Sequence, residues 1–493
     1  MNHFSLVALV SLGLSLSCSP AERSVRSEAR AITIDGEFDD WEGLEPVALD
    51  SKGESQTEEL DLGSLWIAND QEALYLRFET GRETIWQNEA RQLAGNDLRI
   101  YLDTDINAST GTRFGVLGVD YEIHLGSRFA LWHDADDTVT MSLNEVGLTV
   151  GPTHSSHEFE IRIPYHSLLG GSQAKGIMLH PRFKLSIMDA SGGDLLPDKG
   201  ALSCELDGER VPPPAPLSLL RRDPQDIRVL SHNIQYNGPI DQPEPFRRYL
   251  KALQPDVINF QEVWVWNAEE TRNFVANTLK TASWHVAKVE DCVTVSRWPI
   301  RESAAVDGNL VCLINLPDER SSADLIVFNA HTPCCGHNEG RDYEHDHLAA
   351  TLRDLLNGEG PFAVESGDGV LLTGDFNMVG FVRQLSSIRD GDIYDNGVFG
   401  SDFQPDRLAG SLIVAPLRHT HSRAVYSWRN DSEYYPPGRL DFILYGSSQL
   451  RIKNNFTLYT MDIPDDELEE HGLHKQDSLV SDHLVLVADF EPH

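Results

Sequence analysis

Several short stretches of this chain end a run of apolar residues with side chains that bind metal ions or transfer protons. Asp375 and Asn377 end the run Val-Leu-Leu-Thr-Gly-Asp-Phe-Asn. Glu262 ends a second run and Asn233 a third. A carboxylate at such a position is a natural ligand for magnesium, which prefers one or two carboxylates together with water and substrate oxygens. These stretches predict buried strands that deliver polar side chains at their carboxyl ends.

Two histidines occur in comparable settings. His331 ends the apolar stretch Val-Phe-Asn-Ala-His, and His483 directly follows Asp482 ahead of the last apolar run. Asp441 lies upstream in Arg-Leu-Asp. Histidine exchanges protons near neutral pH, and a carboxylate paired with it fixes its tautomer. An isolated Asp-His dipeptide usually lies on the surface and has no catalytic role. A catalytic role for His483 is therefore predicted only because all the fragments occur together.

The elements that must position these residues alternate between strands and helices from residue 227 to residue 490. Strand-like runs recur through this region. Helical periodicity covers 245–253, 268–281 and 346–356, and hairpins lie in the middle. The pattern predicts an α/β domain with mixed sheets.

The order of these fragments resembles the endonuclease/exonuclease/phosphatase superfamily over about residues 226 to 490. That superfamily includes pancreatic-type deoxyribonucleases, abasic endonucleases, bacterial sphingomyelinases and inositol-phosphate phosphatases. The resemblance implies two packed mixed β-sheets flanked by helices, with the site at the strand ends. It also implies a metal-dependent hydrolase that acts on phosphoesters.

The same resemblance implies a metal site for Mg²⁺ or Mn²⁺. Glu262 matches the principal ligand, Asn233 lies beside it, and Asp482 contributes directly or through water. Gln235 stands where some nucleases of the superfamily carry an acid, which puts a second metal site in doubt.

Catalytic roles follow from the resemblance as well. Asp375 orients or deprotonates the attacking water, and Asn377 holds a phosphoryl oxygen. Asp441 orients His483, which is the alternative base. His331 matches the histidine that deoxyribonuclease-type and sphingomyelinase-type members place on the phosphate, where it protonates the leaving oxygen or stabilises the transition state.

The substrate is less determined than the chemistry, because one site constellation serves several phosphoesters. His331 and an extracellular setting favour a nuclease-type phosphodiesterase. A sphingomyelinase-like diesterase or a sugar or inositol phosphate phosphatase is the alternative, with Glu262-Val-Trp264 similar to the sphingomyelinase branch. A non-catalytic surface binding protein is a further alternative, which the complete set of site residues opposes.

Composition limits how nucleic acid could bind. The net charge is −37 and the acidic excess falls on both halves of the chain, so neither half is a basic nucleic-acid-binding surface. Neutralisation of the phosphate would then depend on the cation and on local arginines near the strand ends, for which Arg297, Arg341 and Arg439 are candidates.

The first 18 residues predict export. Phe4 to Leu16 is apolar but too short to span a bilayer, and small residues follow it, as in a secretory signal. Ser15-Leu-Ser-Cys18 resembles a bacterial lipobox, in which Cys18 would be lipidated. Plain secretion with cleavage near Ser17 is the alternative, and either places the protein outside the cytoplasm or at the cell envelope.

A length of 493 residues predicts two domains. Short alternating segments over 31–206 predict an all-β sandwich, the Pro-rich stretch 207–225 a stiff linker, and 226–493 the α/β domain. The sandwich resembles the family 9 carbohydrate-binding modules, which implies a glycan as a partner. Trp66, Trp86 and Trp132 are its candidates for stacking on sugar, although aromatic residues on strands usually pack inside.

An Asp-rich turn in the sandwich offers oxygen ligands at Asp103, Asp105 and Asn107. This spacing suits a structural calcium ion, and an Asx-rich turn held by its own backbone hydrogen bonds is the equal alternative.

Five cysteines follow Cys18, and two of them, Cys334 and Cys335, are adjacent just after His331. A zinc site with neighbouring histidines is disfavoured, because adjacent cysteines bind one metal awkwardly. Disulfides to Cys292 or Cys312 are expected instead in an exported protein.

Overall fold

The structure is a computed structural model that describes residues 23–53, 55, 60–86, 97–134, 137–165, 180–281 and 283–493. The predicted signal peptide and the lipobox at Cys18 lie outside these residues. No helix in the described ranges is long and apolar enough to cross a membrane.

The region up to residue 206 is built almost entirely from strands, which confirms the all-β prediction. Its short helix is α1 (Leu143–Val146). The described strands are β1 (Arg23–Arg26), β2 (Glu28–Ala29), β3 (Ala48–Leu49), β4 (Ser64–Asn69), β5 (Ala73–Thr84), β6 (Leu98–Asp103), β7 (Thr112–Phe114), β8 (Leu117–Val119), β9 (Tyr121–His124), β10 (Phe129–Asp134), β11 (Asp137–Ser142), β12 (Thr149–Gly151), β13 (Ser156–Pro164), β14 (Arg182–Asp189), β15 (Leu195–Leu196) and β16 (Leu202–Glu205).

Two sheets of this region enclose one apolar core. The larger has the order β1-β16-β14-β6-β9-β10-β11 with β15 beside β14, and the smaller has the order β12-β13-β5-β4-β2 with β3 beside β4. Alternate residues of each strand point inward, such as Leu76 and Phe78 of β5 and Ile100 and Leu102 of β6. Strands β1 and β2 precede residue 31, at which the sequence pattern places the start of this domain.

The region from residue 226 is an α/β fold, as predicted. Its strands are β17 (Ile227–Asn233), β18 (Val257–Gln261), β19 (His285–Val289), β20 (Cys292–Ser296), β21 (Ile300–Val306), β22 (Asn309–Ile314), β23 (Leu325–His331), β24 (Gly369–Asp375), β25 (Ile413–Val414), β26 (Asp441–Tyr445), β27 (Leu450–Leu458) and β28 (Val485–Pro492). Its helices are α2 (Gly238–Asp241), α3 (Pro243–Leu253), α4 (Ala268–Leu279), α5 (Asn338–Asn357), α6 (Val382–Asp390), α7 (Asn396–Phe399) and α8 (Asp465–His471).

These strands form two mixed sheets that pack face to face. Their orders are β19-β20-β18-β17-β28-β27 and β21-β22-β23-β24-β26-β25. One core lies between the sheets, a second lies under α3 and α4, and a third lies under α5 and α6. Strands β17, β18 and β24 are buried along their whole length because both of their faces are covered, which explains their continuous apolar sequence.

Strand direction brings the predicted site residues to one edge. Strands β17 and β18 are parallel, with Asn233 paired to Gln261, and strands β23 and β24 are parallel, with His331 paired to Asp375. Strand β26 runs antiparallel to β24 and begins at Asp441, directly opposite Asp375. The ends of one set of strands and the start of another therefore meet at the same edge.

The sandwich contacts two loops that extend from this edge. The Asn144 amide Nδ2 donates to the carbonyl of Tyr435 at 2.6 Å, and the Ser155 N–H donates to the carbonyl of Gly380 at 2.8 Å. The Thr153 hydroxyl donates to the carbonyl of Arg439 at 2.9 Å. The loop after Asn377 and the loop before Asp441 are thus both hydrogen-bonded to the sandwich.

Candidate active site

Three of the predicted residues converge at the tips of β17, β18 and β24. The Asn233 amide Nδ2 donates to Glu262 Oε1 at 3.0 Å and to Asp375 Oδ2 at 3.1 Å. Its own Oδ1 accepts from the backbone N–H of Gln235 at 3.0 Å, which fixes the orientation of the amide. One asparagine therefore holds two carboxylates from different sheets within reach of each other.

The predicted pairing of His483 with a carboxylate is present. His483 Nδ1 lies 2.9 Å from Asp441 Oδ2, and that oxygen also accepts from the Ser427 hydroxyl at 2.7 Å. His483 Nε2 lies 3.5 Å from Asp375 Oδ2. Asp375, Asp441 and His483 thus form one buried cluster in the described chain, with Nε2 facing the carboxylates at the strand tips.

The second histidine is paired in the same way, with a residue that the sequence analysis missed. His331 Nδ1 lies 2.5 Å from Asp291 Oδ2, and its Nε2 lies 3.9 Å from Glu262 Oε1 and 3.8 Å from Asp375 Oδ2. Asp291 lies in the tight turn between β19 and β20, where an acidic residue reads as an ordinary turn residue. No apolar run ends at this position that could have identified it.

Asp291 also fixes the backbone of the predicted metal ligand. Glu262 has a φ of +61°, in the left-handed region that a side chain other than glycine or asparagine seldom adopts. Its N–H donates to Asp291 Oδ2 at 3.0 Å, so one carboxylate oxygen orients both His331 and Glu262. Strain of this kind persists only where surrounding bonds hold it, and it concentrates at functional sites.

Electrostatics favour the charged form of both histidines. Burial lowers the pKa of His331, but Asp291, Asp375 and Glu262 outweigh it and raise the pKa to about 9. Burial likewise lowers the pKa of His483, and Asp441 and Asp375 outweigh it and raise the pKa to about 10. Two imidazolium groups thus face the strand tips of an otherwise acidic protein.

Two predicted residues lie near this cluster with other side-chain partners. Asn377 donates its N–H to Asp375 Oδ1 at 3.0 Å, but its amide Nδ2 donates to the carbonyl of Thr332 at 2.8 Å. Asp482 Oδ2 accepts from the indole Nε1 of Trp428 at 3.2 Å, outside the cluster of Asp375, Asp441 and His483. Asn377 therefore holds a loop, and Asp482 lies against an aromatic ring.

The arginines expected near the strand ends are not at the site. Arg297 pairs with Asp256 at 2.8 Å, at the opposite ends of the strands. Arg341 is fully buried, and Arg439 lies in a cavity of about 850 Å³ between the sandwich and the α/β region. Hence none of the three is available to a phosphate at the strand tips, and the two histidines supply the local positive charge.

The two tryptophans after Glu262 behave differently. Trp266 packs on Phe274 with ring centroids 5.1 Å apart. Trp264 is 49% exposed and the next residue, Val265, is 55% exposed, so the indole of Trp264 is not packed into the core. An exposed aromatic residue therefore lies two positions from Glu262, the predicted metal ligand.

The Asp-rich turn of the sandwich gathers three carboxylates. Asp103 and Asp105 are joined by Asp120 from the turn before β9, and their oxygens lie close enough to hold a cation. Asn107 instead accepts from the N–H of Ser109. Calcium at this turn stays a prediction.

The candidate stacking tryptophans of the sandwich are not exposed. Trp86 is buried against Phe159, with ring centroids 5.4 Å apart. Trp132 packs against the main core, and Trp66 is partly covered by the guanidinium of Arg77.

The disulfide bonds expected between the adjacent cysteines and Cys292 or Cys312 are not formed in the described chain. Cys292 and Cys312 are buried thiols, not disulfide partners of Cys334 or Cys335. The histidines considered for a zinc site are engaged elsewhere in the described chain: His345 Nδ1 lies 2.9 Å from the carbonyl of Gln384, and His347 pairs with Asp307.

The sequence from residue 230 to residue 483 matches the model of the Endonuclease/Exonuclease/phosphatase family. The chain belongs to the endonuclease/exonuclease/phosphatase family. Its α/β region is accordingly a phosphoesterase fold of that family, and its acidic clusters could bind a metal ion. None of the curated proteins matches the chain in sequence.

Solved structures with a similar fold cover about half of the chain. The human Nocturnin catalytic domain with bound sulfate is 15% identical, with a TM-score of 0.34, over 56% of this chain and 96% of that one. TDP2 from D. rerio, complexed with a single-strand DNA product, is 17% identical, with a TM-score of 0.33, over 54% and 98%. The 3′ phosphatase NExo from Neisseria, bound to a product DNA hairpin, is 17% identical, with a TM-score of 0.33, over 54% and 99%.

Proposed function

We propose that this protein is an exported, magnesium-dependent phosphodiesterase of the nuclease type. The observation that carries the proposal is the pair of histidines. His331 and His483 are each held at Nδ1 by a carboxylate, and their Nε2 atoms lie 3.8 Å and 3.5 Å from the same oxygen, Asp375 Oδ2. A phosphodiester needs both a proton acceptor for water and a proton donor for the leaving oxygen, and two oriented imidazoles beside a carboxylate offer both.

The donor set fits a hard divalent cation. Glu262 and Asp375 supply carboxylate oxygens, and Asn233 lies between them with hydrogen bonds to both. The Nε2 atoms of His331 and His483 lie 3.8 Å and 3.5 Å from Asp375 Oδ2, so the centre of the donor set is the carboxylate pair. Carboxylate oxygens suit magnesium or manganese better than a soft metal. Bound at Glu262, the cation would neutralise phosphoryl oxygens as a Lewis acid.

The proton roles follow from the electrostatics of the chain. With its pKa raised to about 10, His483 carries a proton on Nε2 at neutral pH, and that atom lies 3.5 Å from Asp375 Oδ2. Asp375 is then the group that accepts the proton of the attacking water or orients it. His331, with its pKa raised to about 9, is likewise protonated and can give its Nε2 proton to the leaving oxygen.

Positive charge is confined to a small area, which favours small or single-stranded substrates. The two imidazolium groups can hold one phosphate, and the net charge of −37 repels a long duplex. Exposed Trp264 beside Glu262 offers a face on which an unpaired base can stack. We therefore propose single-stranded nucleic acid as the substrate class.

The exposed pair Trp264 and Val265 also supports the sphingomyelinase-like alternative. An aromatic and an apolar side chain next to the metal ligand would suit insertion into a lipid interface. A sugar or inositol phosphate phosphatase is the remaining alternative, and the exposed Val265 gives it no support.

Export and glycan binding are parts of the proposal that rest on sequence alone. The apolar stretch within the first 18 residues supports secretion or lipidation at Cys18. The likeness of the sandwich to carbohydrate-binding modules supports a glycan partner.

One hydrolysis panel tests the proposal. Purified protein with magnesium is offered single-stranded DNA, RNA, sphingomyelin and inositol phosphates, each with and without chelator. We expect metal-dependent cleavage of single-stranded nucleic acid. Rapid turnover of sphingomyelin without nucleic-acid cleavage would transfer the proposal to the lipid substrate, and no metal-dependent hydrolysis at all would reject it.

A further inference from the structure

Two adjacent thiols lie in the loop of residues 332–337, which we call the Cys loop and which joins His331 to helix α5. Cys334 is exposed and Cys335 is partly buried. Each of the other described cysteines is buried, and burial raises its thiol pKa: Cys204, Cys292 and Cys312. Thiol chemistry in the described chain is therefore concentrated at the Cys loop.

The first residue of the Cys loop is bonded to the active site. The Thr332 N–H donates to the carbonyl of Asp375 at 3.1 Å, and the carbonyl of Thr332 accepts from the Asn377 amide at 2.8 Å. The Thr332 hydroxyl donates to the carbonyl of Phe376 at 2.7 Å. A displacement of this loop is thus transmitted to the tip of β24, where Asp375 lies.

The rest of the Cys loop is held by one buried guanidinium. Arg341 is fully buried and donates to the carbonyls of Pro333 at 2.5 Å and Cys335 at 2.9 Å, and to Asn338 Oδ1 at 2.6 Å. Cys335 has a φ of +64°, in the left-handed region, which costs a side-chain-bearing residue roughly 1 kcal/mol. Arg341 therefore maintains a conformation that the backbone of Cys335 does not itself prefer.

We propose that Cys334 and Cys335 are a reversible modification site, which a disulfide-bearing oxidant closes into a disulfide between the two neighbours. One thiolate attacks the oxidant, releasing one thiol and leaving a mixed disulfide. The second thiolate then attacks the protein sulfur of that mixed disulfide, forming the Cys334–Cys335 bond and releasing the second thiol. The protein loses two electrons and two protons, and the oxidant gains them.

Adjacency makes such a bond suited to switching and not to bracing the fold. Neighbouring Cα atoms are about 3.8 Å apart, below the usual range of about 4.4 to 6.8 Å for a disulfide, so the bond is strained and easily reduced. We expect closing it to rotate the Cys335 backbone, whose carbonyl accepts from Arg341. Because Thr332 links the same loop to Asp375 and Asn377, we expect the oxidised protein to hydrolyse phosphodiesters more slowly.

The chain offers a direct readout of the modification. Trypsin cleaves after Arg320 and Arg341, and the peptide between them contains Cys334 and Cys335 and no other cysteine. The intact protein is equilibrated in buffers of reduced and oxidised glutathione, alkylated and digested. The disulfide form of this peptide is lighter than the dithiol by two hydrogens and carries no alkyl groups, whereas the reduced form carries two.

The expected result is a peptide that passes fully from the alkylated form to the disulfide form as oxidised glutathione rises, and back on addition of dithiothreitol. Hydrolysis of bis(p-nitrophenyl) phosphate with magnesium should fall severalfold with the same midpoint. Cys334→Ser and Cys335→Ser should each abolish this response and keep the reduced-state rate. Cys204→Ser, in the sandwich, should retain the response.

The effect on turnover rests on the proposed function, but the peptide measurement does not. A peptide that stays alkylated at every glutathione ratio, or that carries only glutathione adducts, overturns the modification site. A disulfide that forms without any change of rate overturns the coupling to Asp375. A protein that hydrolyses nothing in either state contradicts the proposed function, and the peptide alone then decides the modification site.

Discussion

Asp291 Oδ2 lies 2.5 Å from His331 Nδ1 and at the same time accepts the backbone N–H of Glu262 at 3.0 Å. One carboxylate in a hairpin turn thus orients the imidazole of His331, the proposed acid, and holds the backbone of Glu262, the proposed metal ligand. Because Asp291 accepts a hydrogen bond from Nδ1 of His331, the Nε2 atom of His331 is directed at the strand tips.

The first prediction concerns this shared carboxylate. Asp291→Asn should lower kcat by about 10- to 100-fold, because the amide cannot stabilise the imidazolium of His331. It should also lower the pKa that governs the alkaline limb of the kcat profile, since Asp291 raises the pKa of His331. The profile is measured against that of Glu290→Gln, a change at the exposed neighbouring turn position, which should leave it unaltered. An unshifted alkaline limb in Asp291→Asn would remove His331 as the acid.

The second prediction concerns the metal. Glu262→Ala should lose most of the activity on a generic phosphodiester, and chelator should abolish activity of the unmodified protein until magnesium or manganese is restored. Glu269→Ala on helix α4, where Glu269 pairs with Arg272 at the surface, is the matched control and should retain activity. Full turnover in chelator would reject a metal-dependent mechanism.

The site residues that could be predicted from the sequence lie at or next to the end of an apolar strand. The apolar pattern that identifies the strand therefore also identifies the residue at its tip. Asp375 and Glu262 are of this kind. Asp291 and Ser427 reach the site from a hairpin turn and from an irregular loop, where pattern carries no information about distant partners. Asp120 joins the Asp-rich turn in the same way, through sheet pairing that no local spacing reports.

Helix α5 shows that a local sequence pattern can also miss the beginning of a helix. Periodicity predicts a helix only from residue 346, whereas the structure begins it at Asn338. Its first turns contain Gly340 and polar residues that read as a loop, but Arg341 and His345 are buried there. Tertiary hydrogen bonds of those two side chains replace the apolar face that a sequence pattern can detect.

The third prediction is a loss of stability in acid that is traceable to His345. Burial lowers the pKa of His345 to about 4, below the ordinary value of 6.5, so the unfolded chain binds a proton at higher pH than the folded one does. The contribution of neutral His345 to the free energy of unfolding should therefore be fully present above pH 6.5. It should be lost progressively as the pH drops towards 4. At about 1.4 kcal/mol for each pH unit, the loss attributable to this group is about 3 kcal/mol.

The measurement is the midpoint of urea unfolding between pH 7 and pH 4.5. His345→Asn keeps a donor for the carbonyl of Gln384 but does not titrate, so its midpoint should start lower, because of the smaller side chain, and vary less with pH. His474→Asn, at an exposed position, should follow the unmodified protein. Equal pH dependence in all three proteins would show that His345 is already protonated in the folded state.

The last prediction addresses how so acidic a protein would engage nucleic acid. Because Arg297, Arg341 and Arg439 are occupied elsewhere, binding would depend on the cation and on the imidazolium groups of His331 and His483. Few phosphates are then neutralised, so the slope of log affinity against log salt should be small, on the order of −2 or shallower.

Single strands should be cut at least as well as duplexes, since Trp264 can stack only on an accessible base. Trp264→Ala should raise KM for a single-stranded oligonucleotide by about 10-fold, on the scale of one lost base stack, with little change for bis(p-nitrophenyl) phosphate. Tyr394→Ala removes an aromatic side chain that is 59% exposed and lies against Arg383, and it should change neither. The assay compares matched single-stranded and duplex substrates across a salt series at subsaturating concentration. A steep slope with duplex preference would contradict binding through the cation and the two histidines alone, and an unchanged KM in Trp264→Ala would show that the exposed indole does not stack on the substrate.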